Sequence, residues 1–120
     1  MLHDMLFSIA TDGAGADTIT GEASVLGFVR KVEWVDGTLA DGVDAILSQT
    51  STASGIDETI LTLTNADNDL CYYPKVTAVT AAWCTGTADY PILNGTPKLV
   101  VSSGGATRLG ALILYWTDEL

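Results

Sequence analysis

An alternation of side chains over residues 23–37, ASVLGFVRKVEWVDG, constrains the fold more than any other feature of the chain. In an extended strand, successive side chains point to opposite faces of the sheet. One face would carry Val25, Gly27, Val29, Lys31, Glu33 and Val35, and the other would carry Leu26, Phe28, Arg30, Val32 and Trp34. A period of two over this length predicts a long β-strand, with a bulge at Gly27 and a turn at Asp36-Gly37.

Strand signals recur along the rest of the chain, separated by residues that favour turns. Further strands are predicted at 2–11, 43–50, 57–65, 70–83, 98–102 and 110–116. The first of these segments also fits an extended arm. Residues 38–49 also fit one short helix, because apolar residues recur there at helical spacing, but the flanking turns favour the strand.

Glycine, proline and asparagine predict where strands end. Residues 12–22 are rich in Gly and Asp and are predicted to form a loop, as is CTGTAD at residues 84–89. Pro74 predicts either an edge position or a break in its strand. Asn94-Gly95 is a strong signal for a tight turn.

Two apolar runs near the C-terminus flank the segment SSGGATRLG, residues 102–110. We predict that these runs are antiparallel neighbours, joined by a wide connection with Gly104 and Gly105 at positive φ. The final run is continuously apolar, which is typical of a strand covered on both faces, here by a second sheet or a second subunit. The whole pattern predicts an all-β fold: an antiparallel β-sandwich or jelly-roll-like barrel of about eight short strands, with an extended N-terminal arm.

Length and charge limit the classes of protein that fit. The 120 residues suit one β-sandwich domain, 1–120, in which residues 1–20 form the N-terminal arm and a loop. The net charge is −10, from 15 acidic and 5 basic residues, which disfavours nucleic acid and anionic membranes as partners. The start lacks a signal peptide, and no apolar stretch would span a membrane, so we expect synthesis in a cytosol.

Few residues offer chemistry. His3 is the single histidine, so a Ser-His-Asp or Cys-His arrangement would require it to fold back into a site. NADND at residues 65–69 lacks the Gly and Glu of an EF-hand loop, which leaves a solvated turn or a looser Ca²⁺ site. Cys71 and Cys84 are expected as free thiols, or as a bridge if they lie on neighbouring strands. We predict no enzymatic activity and no cofactor.

YYPKVTAVTAAW at residues 72–83 is followed by YPILNGTPKLVVSSGGATRLGALILYW at residues 90–116. This order of motifs resembles small structural proteins of tailed bacteriophages, in which a YYPR-like strand precedes a Y-P-V-NG-x-x-K-L-VV ending with later glycines and a tyrosine. The matching residues are Tyr72, Tyr73, Pro74, Lys75, Pro91, Gly95, Lys98, Leu99, Val100, Val101, Gly104, Gly105, Gly110 and Tyr115. The resemblance covers roughly residues 58–116.

The resemblance implies a non-enzymatic virion protein with a β-sandwich fold. The main role that the resemblance implies is that of a capsid decoration, or cement, protein. Such a protein binds the outer surface of the major capsid protein shell and stabilises it. It also implies synthesis in a host bacterial cytoplasm, a final location on the capsid exterior, and self-association as a homodimer or homotrimer.

Large apolar side chains are the predicted contacts with the capsid or with a second protomer. They are Met1, Leu2, Met5, Leu6 and Phe7 in the arm, with Trp34, Trp83 and Trp116 elsewhere. Most aromatic residues at strand spacing are expected in the core of the domain, with some at a subunit interface, where Trp and Tyr contribute strongly to binding. The arm would pack on its own sheet or on a neighbour. An arm that docks on a neighbour predicts that deletion of residues 1–10 leaves a folded domain unable to bind shells.

Two other functions fit the sequence. One is another virion component, such as a head–tail connector, tail or spike protein. The other is a carbohydrate- or host-surface-binding β-module, which would need exposed aromatic residues along a groove, for example around Trp83 and Tyr90.

Overall fold

The computed structural model describes residues 1–78 and 87–119, and side chains are described outside 76–78 and 87–89. Trp83 and Cys84, with the roles predicted for them, lie outside the described residues. Within the described ranges there are ten strands: β1 Leu2–Ala10, β2 Asp17–Thr20, β3 Val25–Val35, β4 Asp44–Ser51, β5 Asp57–Leu63, β6 Leu70–Tyr72, β7 Val76–Ala78, β8 Thr87–Asp89, β9 Ile92–Ser102 and β10 Leu109–Thr117. Among these described residues, no helix is long and apolar enough to cross a membrane.

The predicted all-β class is confirmed. Eight strands form one antiparallel sheet in the order β1-β10-β3-β9-β4-β5, with β2 added to β9 and β6 added to β3. Strands β7 and β8 form a separate two-stranded sheet. The predicted strand at 43–50 is confirmed against the helical alternative, because residues 44–51 pair with both β9 and β5.

The two longest strands join two halves of the sandwich. Along one edge, β3 pairs with β9 through residues 25–28 and with β6 through residues 32–34. Along the matching edge, β9 pairs with β3 through residues 92–95 and with β2 through residues 98–101. The first half is therefore β1-β10-β3-β6 and the second is β2-β9-β4-β5.

Apolar residues from both halves form one core. The largest fully buried apolar side chains are Trp34, Phe7, Ile9, Leu47, Leu93, Leu99, Leu112, Leu114, Val29, Val32 and Val43. The indole of Trp34 is buried with its polar group satisfied, because Nε1 donates to the Ala66 carbonyl at 3.0 Å. An aromatic residue of this kind fills the core without leaving an unpaired donor.

The bulge in β3 lies at Arg30, and the prediction of a bulge at Gly27 is wrong. Trp116 of β10 is opposite Val29, whereas Tyr115 is opposite Lys31, so Arg30 is the extra residue. A bulge reverses the alternation beyond it. Val29 and Val32 consequently both face the core, although a strict period of two put them on opposite faces.

Gly27 instead allows β10 to approach β3 closely. A Cβ atom at this position would lie 2.8 Å from Cδ1 of Trp116 and 2.6 Å from the Thr117 carbonyl oxygen. The absent side chain leaves room for the indole, so the glycine is explained by packing against β10.

The predicted turn at Asn94-Gly95 is wrong. Strand β9 continues through both residues, and Gly95 pairs with Val25 on one side and Ser51 on the other. A Cβ atom on Gly95 would collide with the carbonyl oxygen of Thr50. The glycine is required by a close backbone approach rather than by a left-handed turn.

The buried side chain of Gln49 stabilises the start of β9. Its Nε2 donates to the Ile92 carbonyl at 2.6 Å and to Glu58 Oε1 at 3.0 Å, while its Oε1 accepts from the Asn94 amide at 2.8 Å. The side-chain amide thus forms the same kind of hydrogen bonds with the backbone of β9 that a neighbouring strand would form. Burial of this amide is tolerated because each of its polar atoms has a partner.

Three further predictions of local structure need correction, and a fourth is confirmed. Strands β9 and β10 are separated by β3 and are not neighbours. Positive φ occurs at Ser103, Gly105 and Thr107 in their connection, and not at Gly104. The predicted loops at 12–22 and 84–89 contain β2 and β8. Pro74 lies between β6 and β7, which is the predicted break.

The N-terminal segment is strand β1, not an arm that leaves the domain. It pairs with β10 from Leu2–Thr117 to Ala10–Leu109. Met5, Phe7 and Ile9 are buried in the core, because alternate residues of β1 face inward. Deletion of residues 1–10 would uncover β10 and open the core, so from this structure we expect that the truncated domain does not stay folded.

We predict that Phe7→Ala lowers the free energy of unfolding by about 3–5 kcal/mol, because it leaves a large cavity in the core. Leu6→Ala is the matched control: Leu6 is the neighbouring residue of β1 and is 61% exposed. Urea denaturation of both variants measures the difference. Equal, small losses would contradict the placement of β1 in the sheet.

We predict that Gly95→Ala destabilises the domain by about 1–3 kcal/mol or more, because the added methyl group must displace the backbone of β4. Gly13→Ala is the control, since a Cβ atom there meets nothing within 4 Å. The midpoint of thermal unfolding should fall for the first variant and stay near the parent value for the second. A harmless Gly95→Ala would favour the turn that the sequence predicted.

Candidate functional site

The predicted contact residues are split between the surface and the core. Met5, Phe7 and Trp34 are at most 5% exposed and pack in the core. Met1, Leu2 and Leu6 are exposed, by 84, 59 and 61%. Trp116 is partly buried against the core. Leu2 and Leu6 belong to β1 and Met1 directly precedes it, so the two surfaces to which β1 and β10 both contribute are candidate sites.

The first surface is the outer side of the half-sheet β1-β10-β3-β6. The register places Leu6 beside Ile113, Ile113 beside Glu33, and Glu33 beside Cys71. The next row places Ser8, Ala111 and Val35 side by side. We call Leu6, Val35, Cys71, Ala111 and Ile113 the outer-face patch. These are small or apolar side chains on the side of the sheet that the core does not cover.

Charged and aromatic residues lie beside and between the residues of the outer-face patch. Lys31 Nζ lies 3.7 Å from Glu33 Oε2 and 5.6 Å from the centre of the Tyr115 ring. A hydrogen bond with Glu33 and burial raise the pKa of Tyr115 above 10.0, so its hydroxyl stays protonated at neutral pH. A mainly apolar surface with a few charged and aromatic groups among its residues is typical of protein interfaces.

The second surface is a groove at the end of the sandwich, with a volume of about 480 Å³. The imidazole of His3 stacks on the indole of Trp116, with ring centres 5.4 Å apart and an interplanar angle of 20°. His3 Nε2 lies 2.9 and 3.0 Å from the two carboxylate oxygens of Asp118. This contact lowers the pKa of Asp118 below 3.8.

The groove brings His3 and Asp118 together with Ser24, but it does not assemble a nucleophile. His3 Nε2 is engaged by Asp118, whereas the hydroxyl of Ser24 lies 2.7 Å from Thr52 Oγ1. A serine nucleophile needs a hydrogen bond to its base, and no such bond joins Ser24 to His3 in the described part of the chain. The histidine here orders the end of β1 against β10.

A cationic cluster surrounds Tyr90. Lys75 Nζ lies 3.2 Å and Arg30 Cζ lies 4.4 Å from the centre of the ring. Hydrogen bonds and charge from Lys75, and then from Arg30, lower the pKa of Tyr90 below 10.0. Two of the chain's five cations therefore meet at this ring, in a position made by the bulge at Arg30. The predicted carbohydrate platform around Trp83 and Tyr90 lies partly outside the described residues.

The segment Asn65–Asp69 uses its acidic side chains to order neighbouring loops. Asp67 Oδ1 accepts from the Gly42 amide at 2.6 Å, and Asp69 Oδ1 accepts from the Asp36 amide at 2.7 Å. Burial, followed by the charges of Asp69, Asp41 and Asp67, raises the pKa of Asp36. Within residues 1–78 and 87–119, no three His, Cys, Asp or Glu side chains form a group that could hold a metal ion.

Cys71 is an exposed thiol on β6. Its predicted pairing with Cys84 lies outside the described residues. The contact between His3 and Asp118 was not predicted, because it joins residues 115 positions apart and no local pattern links them. The cluster of Arg30, Lys75 and Tyr90 was missed for the same reason.

No protein-family model matches the sequence, and comparison with curated proteins finds no match. Solved structures do show a likeness. The crystal structure of FLHE has a TM-score of 0.46 and 12% identity, over 96% of this chain and 96% of that chain. The crystal structure of PirA has a TM-score of 0.45 and 13% identity, over 97% of this chain and 93% of that one.

We predict that the Asp118 carboxyl titrates below 3.8 in the folded protein and closer to that value in His3→Gln. A lowered pKa means that the contact stabilises the fold above the unfolded pKa, and that this contribution is lost as pH falls through the folded pKa. Carbon-13 NMR of the carboxyl group measures both values. Asp12 is the internal control, because backbone amides of Ala16 and Ala14 lower its pKa. A shift of Asp12 with Asp118 would indicate general loosening.

Proposed function

We propose that this chain is a non-enzymatic decoration protein of a bacteriophage capsid, which binds the outer surface of the major capsid protein shell and stabilises it. The phage assignment comes from the resemblance of residues 58–116, together with the acidic, all-β character of the chain. The observation that carries the proposed mode of action is the outer-face patch. It offers a contact surface on a rigid sheet.

The location of the patch supports binding without a change of fold. Val35 and Ile113 sit on strands whose inward residues, Trp34 and Leu112, are about 1% exposed. A partner that covered the patch would thus meet side chains held by a packed core. Association would cost little ordering of the chain, which favours affinity.

Charge supports the same role. A net charge of −10 opposes random association between the acidic surfaces of free copies. Glu33 lies within the outer-face patch, between Ile113 and Cys71, and its Oε2 is 3.7 Å from Lys31 Nζ, so its charge is paired. Docking through this patch would therefore avoid most of the repulsion that the acidic remainder of the surface produces between copies.

The matching residues of the phage resemblance are mostly residues that build this fold. Leu99 and Val101 are buried, and Gly95 permits the approach of β4. Tyr115 borders the outer-face patch. The resemblance therefore extends to the scaffold, while two patch residues, Leu6 of β1 and Val35 of β3, lie outside it. We infer that partner choice resides in β1 and its neighbours.

Copy number in purified particles is the experiment that tests the proposal. Quantitative mass spectrometry gives the ratio of this chain to the major capsid protein. A ratio of about one, or a simple fraction such as a third, is expected for a decoration protein on repeating lattice sites. A few copies per particle would favour a connector, tail or spike component, and absence from particles would overturn the virion role.

We predict that Val35→Asp weakens binding to undecorated shells by about tenfold or more, since it places a charge in the outer-face patch. Leu26→Asp is the matched control. Leu26 is 77% exposed on β3 but lies outside the patch. Co-sedimentation with shells measures binding, and circular dichroism checks the fold of each variant. Equal binding by both variants would exclude the patch as the contact surface.

A further inference from the structure

Strand β1 has an open edge. It pairs with β10 on one side, and no second strand among the described residues pairs with it on the other. The Thr11 amide donates to the Arg108 carbonyl, on the side of β10. The Ala10 amide donates at 2.9 Å to Asp17 Oδ2, on the opposite side.

These two bonds define which backbone groups face the open edge. Backbone groups of successive residues in a strand point alternately to the two sides. Counting back from Ala10, the amides and carbonyls of Leu2, Asp4, Leu6 and Ser8 face away from β10. The side chains of these four residues are exposed as well. Asp17 closes the edge at Ala10, so the open stretch runs from Leu2 to Ser8.

Strand β2 and residues 22–26 lie beside β1, but the open edge has few of the other features that protect an edge strand. Natural sheets guard their edges with proline, bulges, short strands or charged side chains. Strand β5, the opposite edge of the sheet, carries exposed Asp57 and Glu58. Strand β1 has nine residues paired without a register shift, and Asp4 is its single acidic residue.

We propose that the open edge of β1 pairs with the same edge of a second copy of this chain, antiparallel and about a two-fold axis at Met5. In this register Leu2 lies opposite Ser8 of the second copy, and Asp4 lies opposite Leu6 of the second copy. The backbone groups of the four outward-facing residues in each copy then form hydrogen bonds with those of the other copy. The pairing ends before Ala10, where Asp17 already occupies the amide.

The position of Asp4 favours this register. Each Asp4 faces a leucine rather than the other Asp4, so the pairing places no like charges directly opposite each other. The same strand supplies both sides, which is the self-complementarity that a two-fold interface requires. The paired half-sheets would form one continuous sheet, with the two outer-face patches on the same side of it.

This inference does not depend on the proposed capsid role. A dimer could form in solution without any shell. Shell binding is tested separately, by Val35→Asp in the outer-face patch. Loss of one property therefore leaves the other testable.

The test compares Leu6→Pro with Leu6→Thr in the full-length chain. Proline removes the outward-facing amide of Leu6, which a folded monomer does not use, whereas threonine keeps the amide and changes the side chain. Sedimentation equilibrium should give twice the 12.5 kDa chain mass for the parent and for Leu6→Thr, and the single-chain mass for Leu6→Pro. A monomeric parent, or a dimeric Leu6→Pro, would overturn the proposal.

Disulfide trapping checks the register and remains informative if Leu6→Pro fails to fold. In a Cys71→Ser, Cys84→Ser background, Asp4→Cys and Leu6→Cys proteins are mixed and mildly oxidised. Directly opposed residues of a hydrogen-bonded pair lie about 5.5 Å apart at Cα, a separation that a disulfide bridges. Crosslinks between the two different variants should exceed crosslinks within either variant. Crosslinks that do not favour the mixed pair would overturn the register.

Discussion

The division of β3 and β9 between two sets of partners is the constraint on which the rest of the structure depends. Along one edge, part of β3 pairs with part of β9. The remainder of that edge pairs with β6 in the case of β3 and with β2 in the case of β9. Two half-sheets are thereby joined through shared strands, and one core fills the space between them. The glycines at 27 and 95 belong to this join, where backbones or an indole come too close for a Cβ atom.

The fold class followed from the sequence because alternation and turn residues are local signals, whereas the details of pairing are not. The strand at 43–50 and the long strand near 23–37 were predicted for this reason. Gly95 was assigned to a turn because Asn-Gly is a turn signal, but the carbonyl of Thr50, which fixes its role, comes from another strand. The bulge at Arg30 likewise follows from its register with β10.

The surfaces could be predicted only in part. An apolar N-terminal segment was recognised as important, yet whether it formed an arm or a strand depended on β10, at the other end of the chain. Because side chains alternate between the two faces of β1, Leu6 is exposed at the surface and Phe7 is buried in the core. The pairing of His3 with Asp118 had no sequence signal, since it results from the alignment of β1 with β10.

The pairing of β1 with β10 makes the order of synthesis matter. Strand β1 is synthesised long before its partner β10, so its apolar residues must wait until the chain through residue 117 has been made. Contacts of such large sequence separation slow folding, because the loop must close before the contact stabilises anything. During that interval both sides of β1 lack a partner, which leaves nascent copies open to strand exchange with one another.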